Sequence, residues 1–374
     1  MLLRSASLLS PVLPLLQLLA FRGGPGPGPA AGLEYLAEWC HVGCDNITDA
    51  SHSWANLAMP KHGNARTADG FWREYGVPSL LPMPEEGIFV RNVGLVPGWE
   101  AVLEDFASGE VLPRLANRTA IGVFLGWASA PCPHHHHPPP QPAQPADGCM
   151  VPAAPRDEIC CRNTSCWHDQ LYPISAKLRS LLGEHAILYE NECGLPELFA
   201  KLDRIPPDLN WFSIDGYWGY DPAHRAPDGA LEAQLVRSFA QTSIYPKMSP
   251  SQRLAVVPGT FACSNFSYMP LANSSRSVVA KLRAYKEWAQ ADARVVAMFP
   301  WHINWLPPAA TQGPCDMALG STDIPGVVPE LQRIARWIKA NSTQQQRRRR
   351  QQQRTAPPSL PPPPSSSCPP GLAC

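Results

Sequence analysis

The sequence predicts a single-domain α/β fold, a (β/α)8 barrel in which eight parallel strands alternate with helices. Three observations predict it. Short apolar runs recur between about residues 120 and 340, amphipathic stretches of helical spacing separate them, and further apolar runs upstream bring the candidate strands to eight. The length of 374 residues suits such a barrel, since barrels use roughly 250 residues or more as one domain.

The candidate strands are short apolar runs bounded by polar or turn-forming residues. In chain order they are Leu33–Trp39, Trp54–Met59, Pro78–Pro82, Ala120–Gly126, Ala186–Glu190, Trp211–Asp215, Leu254–Pro258 and Val295–Phe299. Their alternation with helical stretches is typical of βα units around a parallel sheet.

The candidate helices carry apolar residues at steps of three or four. Val278, Leu282, Tyr285 and Trp288 have this spacing, which a helix packed on a sheet requires. The predicted helices are Trp99–Leu115, Ile174–Leu182, Pro196–Leu202, Leu231–Gln241, Val278–Ala289 and a closing helix at Val328–Ala340.

The two ends of the chain differ in composition from the predicted barrel domain, residues 33–342. Residues 1–20 have a basic residue and then a Leu-rich run that Pro interrupts, which is typical of a signal peptide; a membrane anchor or a wrongly assigned start is the alternative. Residues 21–32 form a Gly/Pro linker. Residues 343–374 are basic and Pro-rich, and we predict a disordered tail because they lack apolar residues that could offset the entropy of ordering.

Several features indicate a secreted or lumenal glycoprotein. The twelve cysteines of an exported chain are expected to form disulfides rather than a metal site, although their pairing cannot be read from the sequence. Acceptor sequences for N-linked glycans occur at Asn46, Asn117, Asn163, Asn265, Asn273 and Asn341.

The charge balance argues against nucleic acid as a partner. Lys plus Arg and Asp plus Glu number 31 each, and the Arg-rich run lies in the predicted tail. A neutral small or polymeric substrate fits this balance better. Together with the features described below, we expect a carbohydrate ligand or substrate, no cofactor and no stable membrane insertion.

One segment, Trp127–Arg156, interrupts the βα pattern because it is Pro-rich and has no periodicity. Its excision would join Gly126 to Asp157 and give AIGVFLG-DEICC, and the genetic code permits splice signals at both ends. The segment is therefore either a retained intron or a disordered surface loop. We do not expect its His134–His137 run to bind metal, because a metal site needs fixed supporting contacts.

Functional groups of α/β barrels come from the C-terminal ends of the strands and the loops that follow. Glu158, Glu190 and Asp215 occupy such positions. Strand alternation, with the insert excised and Glu190 on the face of Leu188, points all three into the barrel mouth, and it groups Ser213 with Asp215 against the apolar Phe212 and Ile214. We expect them to converge as the catalytic residues.

Converging carboxylates with aromatic neighbours are what glycoside hydrolysis requires, one as acid and one as nucleophile or base. The neighbouring residues expected to bind the sugar are Asp157, Glu192, Tyr217, Trp218, Trp301, His302 and Asn304. Each acidic residue has an alternative role as a helix cap or in an ion pair, and Trp301 has one in packing.

The strand-end motifs GDE (after excision), ENE and IDGYWG resemble those of the TIM-barrel glycoside hydrolase (transglycosidase-like) superfamily, including uncharacterised secreted eukaryotic members, over roughly Leu33–Ala340. In the large retaining clan of these barrels the fourth strand ends in Asn-Glu and the seventh in a nucleophilic Glu. The resemblance matches Glu158 to the first, with Asp157 in place of Asn, but the seventh strand here ends in Thr260. Families that pair carboxylates from the fourth and sixth strands imply Glu158 or Asp157 with Asp215.

Three functional hypotheses follow. The first is a secreted glycoside hydrolase acting on a neutral glycan, with Glu158 as acid/base and Asp215 or Glu190 as its partner. The second is a catalytically inactive barrel that binds carbohydrate or a protein. The third, a metal-dependent hydrolase using His302, ranks last because zinc sites in such barrels normally have several His ligands.

Overall fold

Eight parallel strands form a closed barrel in this computed structural model, as the sequence predicts. In chain order they are β1 (Tyr35–Trp39), β2 (Leu57–Met59), β3 (Ser79–Pro82), β4 (Ala120–Phe124), β5 (Ile187–Cys193), β6 (Trp211–Asp215), β7 (Arg253–Val256) and β8 (Val295–Met298). Each strand pairs with its successor in the chain, and β8 pairs with β1. Closure of this kind leaves no unpaired sheet edge.

The structure describes residues 32–39, 53–60, 65–84, 86–90, 94–125, 167–193, 196–215, 229–263, 273–301 and 318–355. These residues belong to one compact unit, Ala31–Cys374. The predicted signal peptide (1–20) and insert (127–156) lie outside the described residues. Among the helices that are described, none combines the length and the apolar character needed to span a membrane.

The helices lie between the strands, as expected for βα units. They are α1 (Ala65–Tyr75), α2 (Trp99–Phe106), α3 (Leu112–Ala116), α4 (Tyr172–Leu182), α5 (Pro196–Lys201), α6 (Gly229–Phe239), α7 (Ser274–Ala291) and α8 (Val327–Thr355). One π-helical turn, Ala107–Val111, joins α2 to α3, so that the predicted helix Trp99–Leu115 is helical throughout. A second, Ala240–Ile244, extends α6.

Helix α8 is longer than the sequence analysis predicts. It runs to Thr355 and so includes the first part of the segment 343–374, which was expected to be disordered. Gln and Arg have good helix propensity, and each further residue extends a helix that is already nucleated. The residues after Thr355 lie outside the described part of the chain.

Two apolar cores lie on the two faces of the sheet. The outer core packs strand residues such as Val123, Leu188 and Phe212 against the helices. The inner core fills the barrel lumen in layers, as is usual for this architecture. At the N-terminal end Tyr35 and Trp211 have ring centroids 5.1 Å apart, and the next layer contains Phe124, Tyr189 and Phe299.

Amide side chains fix two strand pairs at the N-terminal end of the barrel. Asn56, directly before β2, accepts a 2.7 Å hydrogen bond from the backbone N–H of Leu36 in β1. Asn210, directly before β6, does the same at 2.8 Å for Leu188 in β5. The first bond fixes the register between β1 and β2, and the second fixes the register between β5 and β6. The register in turn determines which side chains point into the lumen.

Barrel closure brings β4 and β5 so close at Gly122 that a side chain there would collide with the neighbouring backbone. A Cβ at Gly122 would lie 1.8 Å from the carbonyl oxygen of Ile187. We expect Gly122→Ala to lower the free energy of unfolding by about 1–3 kcal/mol or more. Gly70→Ala in α1, where a Cβ meets nothing within 4 Å, should raise it by up to about 1 kcal/mol. Urea denaturation of both variants tests this, and equal effects would contradict the packing described.

Candidate functional site

A buried polar triad lies in the lumen on the C-terminal side of the aromatic layers. Its members are Tyr189 and Asn191 of β5 and Ser213 of β6, all fully buried. The Tyr189 hydroxyl lies 2.7 Å from Ser213 Oγ, and Ser213 Oγ donates to Asn191 Oδ1 at 2.5 Å. Because the Ser213 proton is used in that bond, Tyr189 is the donor to Ser213.

The triad fixes the orientation of the Asn191 amide. Its Oδ1 is an acceptor for Ser213, so Nδ2 is the atom that can donate. The register between β5 and β6 pairs Asn191 directly with Ser213, which makes this contact a consequence of the strand pairing. The sequence analysis missed Tyr189 and Asn191 as site residues, although it placed Ser213 on the correct face.

Glu190 and Glu192 do not enter the lumen. They alternate with Asn191 on an uninterrupted strand and so share the face of Leu188, which packs in the outer core. The prediction that Glu190 converges with Asp215 inside the barrel is therefore wrong, and Glu192 is likewise turned away from a ligand in the lumen. Every residue from Ala186 to Tyr189 is apolar, on both faces of the strand. The sequence pattern therefore did not distinguish the face that points into the lumen.

The Glu190 carboxyl is buried in an apolar environment between sheet and helices. Its side chain is fully buried, and neither oxygen has a hydrogen-bond partner among the described residues. Burial raises the pKa of Glu190 well above its usual value because the charged form would lose its hydration. Glu190 therefore carries its proton well above the pH at which an exposed glutamate ionises.

Strand β6 has the orientation that the sequence analysis predicts. Phe212 and Ile214 pack in the outer core, whereas Ser213 faces the lumen. Asp215 is the last residue of β6, two positions after Ser213, and its backbone pairs with Cys193. A carboxylate residue thus ends β6 at the C-terminal mouth of the barrel.

The segment after β7 has no carboxylate at the position where the resembling retaining clan has its nucleophile. Thr260 is fully buried there, and its Oγ1 lies 2.6 Å from Ser321 Oγ. Its backbone N–H donates to the carbonyl of Trp301 at 2.5 Å. The Thr260 hydroxyl is thus engaged in packing the segment against Ser321.

Besides Glu192, Trp301 is the predicted sugar-binding residue that the structure describes, and it lies just after β8. Its ring is half-buried and meets the ring of Phe261 edge-on, with centroids 5.1 Å apart and an interplanar angle of 87°. Its backbone N–H donates to the carbonyl of Pro258 at 3.0 Å. These contacts hold Trp301 against the segment that follows β7.

Several predicted site residues lie outside the described residues. They are Asp157, Glu158, Tyr217, Trp218, His302 and Asn304. The predicted approach of Gly126 to Asp157 lies outside them as well. Within the described ranges, no group of three or more His, Cys, Asp or Glu side chains could hold a metal ion.

The buried Glu190 gives a prediction for the pH dependence of stability. The pKa of Glu190 is higher in the folded state than in the unfolded state, where glutamates ionise at about pH 4.3. Its contribution to the free energy of unfolding is therefore fully present below about pH 4.3 and is lost as the pH rises through the folded pKa. Glu190→Leu should remove this loss of stability at higher pH, because leucine does not ionise. The variant should raise the free energy of unfolding at pH 7 by about 1–3 kcal/mol and flatten its decline toward alkaline pH.

Urea denaturation between pH 4 and pH 9 measures this profile. Glu74→Leu, at an exposed position of α1, is the matched control and should keep the wild-type slope. A Glu190→Leu profile parallel to that of the wild type would contradict the environment described for this carboxyl.

No protein-family model and no curated protein sequence matches the chain. Among solved structures, a GH2 β-galacturonidase from Eisenbergiella tayi bound to galacturonate is similar with a TM-score of 0.50 and 10% identity, over 82% of this chain and 51% of that one. A β-glucuronidase from an uncultured Clostridium sp. has a TM-score of 0.49 and 10% identity, over 81% and 50%. A psychrophilic glycoside hydrolase family 10 endo-β-1,4-xylanase has a TM-score of 0.44 and 9% identity, over 81% and 97%.

The chain spans about half the length of the Eisenbergiella tayi enzyme. At 10% identity the likeness concerns the fold: the closed barrel of this chain is a TIM barrel, the fold that the sequence analysis predicts.

Proposed function

We propose that the chain is a secreted glycoside hydrolase that acts on a neutral glycan or glycoside, with Asp215 and Glu158 as its pair of catalytic carboxylates. One observation carries the proposal. The lumenal face of β5 and β6 presents a hydrogen-bonded polar triad, and β6 ends at Asp215, two residues after Ser213, where strand alternation would direct the carboxylate to the barrel mouth. In TIM barrels this mouth is where catalysis takes place.

The two carboxylates would divide the chemistry of glycosidic bond cleavage. Glu158, matched by resemblance to the acid/base residue, would protonate the leaving oxygen, and Asp215 would act as the nucleophile or activate water. Glu190 has no part in this proposal because it lies behind the sheet. A separation of about 5–5.5 Å between the two carboxyl groups would give retention, and about 6.5–9.5 Å inversion.

Sugar recognition in this proposal combines the polar triad with aromatic faces. The hydrogen-bonded triad of Tyr189, Ser213 and Asn191 would form a polar floor beneath the sugar. Trp301 would provide an apolar face for a sugar ring. Asp157, Tyr217, Trp218, His302 and Asn304 would complete the site from the loops at the mouth.

Secretion is proposed together with the activity. Of the predicted glycan acceptors, Asn117 at the end of α3 and Asn273 at the start of α7 are exposed, as attachment of a glycan requires. We expect the protein from a eukaryotic secretory host to lose mass on treatment with peptide N-glycosidase. Asn117→Gln should carry one glycan fewer by intact-mass spectrometry, whereas unchanged glycan occupancy would contradict use of this site.

The activity is tested with a panel of aryl glycosides and neutral oligosaccharides, using both the full chain and a form without residues 127–156. On a substrate that is hydrolysed, Asp215→Asn and Glu158→Gln should each lower kcat by about 10²–10⁴-fold, the usual contribution of a positioned acid or base. Glu190→Gln is the matched control. It changes a carboxyl on β5, the strand between β4 and β6, but this carboxyl faces the helices, so the kcat of the variant should equal that of the wild type.

Two results would count against this proposal. Undiminished hydrolysis by Asp215→Asn would remove Asp215 from the chemistry. Glycan binding without hydrolysis by any form of the wild-type chain would indicate the catalytically inactive, carbohydrate-binding barrel instead.

A further inference from the structure

Helices α6 and α7 cross at an unusually short distance. A Cβ on Gly229 would lie 2.2 Å from the carbonyl oxygen of Ser277, so the two backbones touch at this glycine. The residues one turn further along each helix are Glu232 and Lys281, which therefore face each other. Their Oε2 and Nζ atoms are 2.6 Å apart, with side chains only 6% and 1% exposed.

The Lys281 ammonium group has a second partner outside the helices. Nζ donates a 2.9 Å hydrogen bond to the backbone carbonyl of Gly259, which follows β7. One buried lysine thus joins α6, α7 and the strand end that faces the barrel mouth. A lysine is suited to this contact because its ammonium has three donors on a long apolar stem.

The Gly259 carbonyl, which accepts the bond from Lys281, belongs to the backbone segment that pairs with Trp301. Gly259 and Trp301 form a parallel bridge. The Trp301 N–H donates to the carbonyl of Pro258 at 3.0 Å, and the N–H of Thr260 donates to the Trp301 carbonyl at 2.5 Å. Any rotation of the peptide at Gly259 would misalign both hydrogen bonds, because they flank it.

A buried ion pair is a weak source of stability, since desolvation of both charges offsets their attraction. Burial raises the pKa of Glu232 even though the ammonium of Lys281 opposes this, which shows how large the desolvation is here. One Glu232 oxygen, Oε1, also has no hydrogen-bond partner among the described residues. Stability alone therefore gives no reason for this pair, whereas the directed bond to Gly259 does.

We propose that Lys281 is a positioning residue that, paired with Glu232, holds the peptide at Gly259 and thereby sets the place of Trp301 at the barrel mouth. The catalytic consequence rests on the proposed function, in which Trp301 binds a sugar ring. The structural consequence does not depend on that function.

The test replaces both charges, so that no unpaired charge remains buried. Lys281→Met/Glu232→Leu is expected to fold with a Tm close to that of the wild type. In protein labelled with 5-fluorotryptophan, the Trp301 ¹⁹F resonance, assigned by its absence in Trp301→Phe, should shift or broaden in the double variant. On a hydrolysed glycoside, KM should rise by about 10- to 100-fold with little change in kcat, because a substrate contact is displaced and the carboxylates are not.

Two further variants separate positioning from general loosening of the helices. Arg283→Met/Glu330→Gln breaks the ion pair between α7 and α8, and with it the pair of Glu330 with Arg333 within α8. Neither pair reaches Gly259, so the Trp301 resonance should stay unchanged. Glu232→Gln keeps an acceptor for Lys281 and the bond to Gly259, and should keep the resonance while lowering the Tm. If the double variant does not fold, Lys281→Met is measured at the most acidic pH at which it stays folded, because burial raises the pKa of Glu232 and acid favours its neutral form.

An unshifted Trp301 resonance in the folded variant that lacks Lys281 would overturn the proposal, as would an equal shift in the Arg283→Met/Glu330→Gln control. A shifted resonance with no glycoside hydrolysed by any form of the chain would support the positioning role and count against the proposed function alone. Hydrolysis with an unchanged KM in the double variant would overturn the role of Lys281 in substrate binding and leave the proposed function standing.

Discussion

The unbroken register between β5 and β6 determines the chemistry of the barrel mouth. Because side chains alternate strictly along a strand, the pairing of Asn191 with Ser213 places an amide and a hydroxyl in the lumen and turns Glu190 and Glu192 toward the helices. A shift by one residue would exchange an uncharged hydrogen-bonding floor for two buried acids. The bond from Leu188 to Asn210, at the other end of the same strands, opposes such a shift.

The layered lumen makes this floor rigid. Aromatic rings fill the barrel below it, so the bonds from Tyr189 to Ser213 and from Ser213 to Asn191 form in a dry environment of low dielectric constant. Hydrogen bonds are stronger there and polarise one another, and a side chain that broke its bond would leave an unsatisfied polar group. The orientation of the Asn191 amide is therefore fixed by the fold itself.

The sequence predicted the barrel well because the strands repeat a local signal, an apolar run followed by polar residues. It also predicted the faces of Phe212, Ser213 and Ile214 in β6, because the serine contrasts with its two apolar neighbours. It failed for β5, because Leu188 and Tyr189 are equally apolar and only tertiary packing distinguishes the face of one from that of the other. The role of Lys281 was not predictable either, since the lysine meets Glu232 and Gly259 only after α6 and α7 pack together.

The environments of Glu190, Glu232 and Thr260 bear on where the proposed catalytic pair can lie. Glu190 is behind the sheet, Glu232 is held by Lys281, and the place after β7 that could have carried a nucleophile holds Thr260, closed off by Ser321. The proposed function therefore pairs Asp215 with Glu158, which follows β4 in the chain. Strands β4 and β6 lie on either side of β5. Because neighbouring strands are about 4.8 Å apart, the backbones at the ends of β4 and β6 are separated by roughly twice that distance. Under the proposed function, a carboxyl pair supplied by these two strand ends would suit an inverting mechanism, in which a water molecule lies between the two groups.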